Sequence, residues 1–211
     1  MQKLDDIIER IHETFEKKTI AREEALSRAR KLIRKSANTI REIHRDEFSK
    51  ARETLKEAEV LAQALNDNLN QHPDLFYTGY TQDALKEFAE ASITYALITD
   101  GSLPSPEELK LTHATYLKGL AEVVGELRRR SLDLLRRNRS GEAEKNLQYM
   151  DDIYAVLVTM DYPDAITGGL RRLTDIVRSI TERTRGDLTI SLKQEQLEKS
   201  LAEFEKKIAA E

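Results

Sequence analysis

Cysteine is absent, which excludes disulfides, thiolate metal sites and cysteine nucleophiles together. That absence suits an intracellular, cytoplasmic protein, and it also suits a hot-living source. Proline and glycine are scarce, 4 and 8 in 211 residues, and aromatics make up 6%. With 34% charged residues, this composition fits an all-α chain better than a β-rich or disordered one. No run approaches the roughly 20 apolar residues of a membrane span. Met1 to Arg10 is charged and amphipathic, without the apolar core of a signal peptide. No glycine-rich phosphate loop, HExxH or nucleophile elbow occurs. The net charge of −4 makes no global demand for nucleic acid. A chain of this length buries one substantial core, so a single domain over 1–211 is expected.

What is present is helical periodicity. Leu4, Ile7, Ile8, Ile11 and Phe15 form one stripe, continued by Ala25, Ala29, Leu32, Ile40 and Ile43. Phe48, Ala51, Leu55, Ala58, Leu65 and Leu69 form the next. Pro73 and Gly79 interrupt the pattern around a tyrosine-rich loop, Phe76 to Tyr80. A helix over about 81–99 is apolar nearly all round and marks a central position. Ser105, Pro106 and Glu108 spell an N-cap, a first-turn proline and a capping-box glutamate, predicting a helix from there to about Arg137. Another is expected from Glu142 to Met160, one opening at Pro163, and a last one after Gly186. About seven helices and no strand make an all-α bundle.

Four glutamates stand out inside this pattern. Between Ala84 and Ile98 the charged residues are Lys86, Glu87 and Glu90; between Ala114 and Leu127 they are Lys118, Glu122 and Glu126. Spacings of three and four put each pair on one helix face. A carboxylate taken out of water costs several kcal/mol unless it is paired, hydrogen-bonded or bound to a cation. Two such helices packed together offer an all-oxygen cluster suited to Mg²⁺ or Mn²⁺. Gly119 and Gly125 each cost about 1 kcal/mol in a helix interior, which points to close approach of another backbone or a ligand. The competing reading is a solvated face, since Glu-x-x-Glu also occurs at Glu13 with Glu16 and at Glu195 with Glu198. The residues alone leave both open.

Other features carry less. His12, His44, His72 and His113 are scattered, and the single Glu-x-x-His, Glu9 with His12, is too little for a di-iron bundle. Arg185-Gly186-Asp187 spells an adhesion tripeptide of no weight by itself. Lys17 to Arg45 holds ten Lys or Arg against three Glu, and Arg128 to Arg139 six Arg against one Asp. Arg171, Arg172, Arg178, Arg183 and Arg185 form a third basic stretch. Such stretches either line a phosphate path or are ordinary solvated surface.

Three blocks resemble the translin/TRAX family. The first is Tyr116, Leu117, Gly119, Gly125, Glu126, Leu127 and Arg129. The second is Leu85, Glu87, Phe88, Glu90 and Ala91. The third runs from Asp161, Tyr162 and Pro163 to Arg185 and Gly186. The resemblance spans about Ala21 to Gly186. It implies catalytic, metal-holding carboxylates at Glu87, Glu90, Glu122 and Glu126, with glutamate at 122 where TRAX has aspartate. It implies an RNA-contacting role for Arg22 in its Ala-Arg-Glu-Glu context. Arg128, Arg129, Arg136 and Arg137 are further candidate nucleic-acid-binding residues, whose basic charge would offset repulsion between an acidic site and a polyanion. The expected activity is a Mg²⁺- or Mn²⁺-dependent endoribonuclease acting on single-stranded RNA, in which the metal activates water and neutralises charge on the phosphodiester. Single strands are favoured because a helical bundle offers no groove-reading element. The resemblance also implies a closed homo-oligomeric shell of about eight subunits. Two other classes remain: a non-catalytic homo-oligomer that binds single-stranded DNA or RNA, and an all-α nucleotide pyrophosphohydrolase. The latter usually spaces its second acidic pair by three rather than four.

Overall fold

The structure is a computed structural model that describes residues 2–209. Eight helices and no strand occur among the described residues. They are α1 (Gln2–His44), α2 (Phe48–Leu69), α3 (Pro73–Phe76), α4 (Gly79–Ile98), α5 (His113–Leu135), α6 (Ser140–Val158), α7 (Asp164–Thr167) and α8 (Leu170–Ile208). Two compact units result, one up to Gly119 and one from Leu120, with the boundary inside the unbroken helix α5.

In the first unit, α1 and α2 run antiparallel. Lys35 pairs with Glu57, at 2.5 Å, and Lys50 with Glu42, at 3.3 Å. The turn between them is a Schellman motif: Asp46 takes φ 62°, the Glu47 amide donates to the Glu42 carbonyl and the Asp46 amide to that of Ile43. The core is rich in small side chains, Ala25 and Ala29 on α1, Ala51 and Ala58 on α2, Ala84, Ala89 and Ala91 on α4. These let the helices approach closely around Leu32, Ile43, Leu65, Leu85 and Ile93. As periodicity suggests, α4 has buried residues around its whole circumference.

In the second unit, α6 and α8 run antiparallel, with Ser140 bonded to Glu195 at 3.1 Å and Asp151 to Arg185 at 2.5 Å. Met150, Leu157, Leu170 and Val177 are buried there. Asp187 binds Arg128 at 2.8 Å, so both charges of the Arg-Gly-Asp tripeptide are fastened to neighbouring helices.

Several boundaries differ from the expectations. The capping box forms, with the Ser105 amide donating to Glu108 Oε2 at 2.7 Å and the Glu108 amide to Ser105 Oγ at 3.1 Å. It opens a single turn, because Lys110 adopts φ 55° and the Leu111 amide bonds back to the Pro106 carbonyl at 2.9 Å. That closure ends the turn, and α5 starts afresh at His113. Gly186 does not end a helix: α8 runs through it for 39 residues. The break lies earlier, at Gly168 and Gly169, with φ 61° and 89°. The expected tyrosine-rich loop is mostly helix, as α3 and the first turn of α4.

Candidate metal centre and nucleic-acid interface

Helix α4 presents Glu90 at 8% exposure and Glu87 half-buried, one turn apart. Gly119 explains how α5 reaches them. A Cβ there would lie 2.6 Å from Ala89 Cβ, 3.0 Å from the Lys86 carbonyl and 3.1 Å from the Glu90 amide nitrogen. Any side chain at that position would therefore separate the helices, so the glycine requirement is steric. Gly125 has open space around its Cβ direction, and close approach does not account for it.

One turn beyond Gly119, Glu122 completes an acidic group. A carboxylate oxygen from each of Glu87, Glu90 and Glu122 lies within 4.8 Å of the other two. At that separation two carboxylates repel by about 3 kcal/mol at an effective dielectric near 20. Lys86 sits 3.7 Å from Glu87 Oε1 with 18% of its side chain exposed and offsets part of the charge. Three half-buried to buried carboxylates form an oxygen-only donor set, which fits a hard divalent cation. Glu126 lies one turn further along α5, half-buried and outside this group.

The start of α5 is held on its own unit by polar contacts. Thr115 Oγ1 donates to Gln82 Oε1 at 2.5 Å, and Tyr116 donates its hydroxyl to the Pro104 carbonyl at 2.9 Å. Burial, with Glu107 and Glu108 nearby, raises the Tyr116 phenol pKa and keeps it a donor.

The basic candidates separate. Arg22 is exposed on α1 and pairs with the adjacent Glu23 at 2.7 Å. Arg128 is engaged with Asp187 and with Thr184 Oγ1, at 3.0 Å, which gives it a structural task. Arg129 is exposed on α5, and Arg136 and Arg137 are exposed in the turn just after it, Arg136 lying 3.7 Å from Asp133.

No family model matches the chain. An uncharacterized protein of Methanocaldococcus jannaschii is 34% identical over 186 residues, covering 87% of this chain and 82% of that protein. AfC3PO, solved as a complex with duplex RNA, matches at 31% identity and TM-score 0.83 over 89% of this chain and 97% of its own. C3PO proteins are translin/TRAX assemblies. The chain belongs to the translin/TRAX family. The structure of apo-NeC3PO, at 24% identity and TM-score 0.78, covers 90% of this chain and 98% of its own and shares the fold. Within this family the three sequence blocks fall on α4, on α5 and on the stretch from the end of α6 into α8. No helix among the described residues is long and apolar enough to cross a membrane.

Proposed function

We propose that this translin/TRAX protein, acting as one domain over 1–211, is a Mg²⁺- or Mn²⁺-dependent endoribonuclease. The observation that carries the reading is the convergence of Glu87, Glu90 and Glu122. These residues would hold the cation, with Glu126 one turn beyond on α5 as the fourth carboxylate. A bound cation supplies Lewis-acid polarisation of the phosphodiester and activates water. Glu90, the most enclosed of the group, fixes the cluster's position, and Lys86 limits its net charge. Arg129, Arg136 and Arg137, with Arg22, would hold the strand's phosphates, and Arg128 would orient α8 against α5.

RNA as ligand is supported by AfC3PO, whose complex contains duplex RNA. That complex widens the substrate beyond the single strands expected from the sequence. The absence of a groove-reading element argues against base readout in a duplex, not against recognition of A-form shape and phosphates. The same complex also favours the non-catalytic reading, because binding alone accounts for it.

Incubating labelled single-stranded and duplex RNA with Mn²⁺ or with EDTA separates the two. Cleavage that needs the metal and falls at least 100-fold in Glu90→Gln, with helicity retained, is expected. Intact RNA under all conditions would leave a binding protein, and undiminished cleavage in the variant would remove Glu90 from the site.

A further inference from the structure

Several cations from Lys18 to the end of α1 are paired. Lys18 pairs with Asp74, Arg22 with Glu23, Arg28 with Glu24 and Lys35 with Glu57. Arg30, Arg34, Arg41 and Arg45 behave differently. All four are exposed, and among the described residues none meets a carboxylate. Arg41 donates only to the Ala37 carbonyl and the Asn38 side chain.

Their placement is ordered. With 3.6 residues per turn, the four arginines project within an arc of about 60° and extend over about 22 Å of helix axis. The core residues Ala25, Leu32 and Ile43 lie on the opposite side of the same helix. Between Glu24 and Arg45 one acid occurs, Glu42, and it is buried and bound to Lys50. In a chain of net charge −4 with 38 acids, four neighbouring arginines without a counter-charge form a local field that a polyanion would satisfy.

The guanidinium fork matches phosphate oxygens two at a time, which favours a nucleic-acid backbone as occupant. A lipid surface is less suited: no apolar side chain lies within the arc to insert, and the exposed Ile33 projects about 60° outside it. We propose that the outer face of α1 from Arg30 to Arg41, continued by Arg45 in the turn that follows, is a sequence-independent phosphate track for RNA. It uses residues distinct from the carboxylate group, and it rests on the RNA-binding half of the function proposed above, not on cleavage.

The test is fluorescence anisotropy of a fluorescein-labelled RNA in EDTA across a salt series. The quadruple variant Arg30→Gln, Arg34→Gln, Arg41→Gln and Arg45→Gln is expected to bind at least 100-fold more weakly. Its slope of log K against log salt should be shallower by about 3, the loss of four phosphate contacts. A matching quadruple lysine variant, which retains the charges, should keep the wild-type slope within about 1. Equal slopes for wild type and the glutamine variant, or a lysine variant as shallow as the glutamine one, would overturn the track. Sedimentation of wild type but not the glutamine variant with phosphatidylserine vesicles, at equal RNA slopes, would also overturn it in favour of a lipid surface. Mn²⁺ binding by the quadruple glutamine variant should equal that of wild type, so loss of the track and loss of the carboxylate site are read separately. If wild type binds no RNA at all, the parent reading fails along with the track.

Discussion

Gly119 and Gly125 occupy the same helix in opposite circumstances. Ala89 Cβ would stand 2.6 Å from a methyl at position 119, whereas nothing lies within 4 Å of one at 125. Gly119→Ala should therefore lower stability by about 1–3 kcal/mol through overpacking. Gly125→Ala should gain about 0.5–1 kcal/mol from helix propensity. Thermal melts of the two variants check the contrast, and equal shifts in one direction would contradict it. From sequence, both glycines looked like close approaches; a helical glycine signals its cost, but not whether a neighbour occupies the space. The glutamates were easier to read. Spacing and apolar surroundings single out all four alike, and only the packed structure separates Glu87, Glu90 and Glu122, which converge, from Glu126, which lies outside that group. Lys86 was visible as a charge but not as a counter-ion, because its direction depends on side-chain placement.

At the scale of elements, most helices follow from apolar spacing, while the ends depend on residues in the left-handed region. Asp46, Asp100, Lys110 and Asn138 take that conformation, at φ 62°, 54°, 55° and 56°. Asp and Asn do so readily; Lys110 gives no such sign, so the capping box at Ser105 predicts a longer helix than forms. Gly186 misled in the other direction, since a single glycine weakens a helix without ending it. Short α3 is tied to α1 by Lys18, whose ammonium beside Asp74 holds that carboxyl below its ordinary pKa. A lowered carboxyl pKa stabilises the fold above the unfolded-state value. The contribution is lost as pH falls through the folded-state value. In an NMR titration Asp74 should titrate below an ordinary aspartate, and Lys18→Met should return it upward. An unmoved midpoint would show that the pair contributes nothing in solution.

For the whole molecule, both long helices keep apolar stripes that the described chain leaves uncovered. Ile7, Ile11 and Phe15 on α1 are 37%, 42% and 63% exposed, and Leu197, Leu201 and Phe204 on α8 are 60%, 53% and 61% exposed. Apolar rows of this extent mark association surfaces, which is the physical motive for the closed shell of about eight copies that the family resemblance implies. Mass measurement in solution should find a homo-oligomer, and Phe15→Glu combined with Leu201→Glu should dissociate it. A monomer at micromolar concentration would contradict the shell.

The central claim concerns the carboxylates of α4 and α5, and Mn²⁺ binding to the whole protein tests it most directly. Isothermal titration calorimetry should detect Mn²⁺ binding to wild type that weakens at least 100-fold in the double variant Glu90→Gln, Glu122→Gln, with helicity unchanged. Equal Mn²⁺ binding by the two proteins would contradict the account.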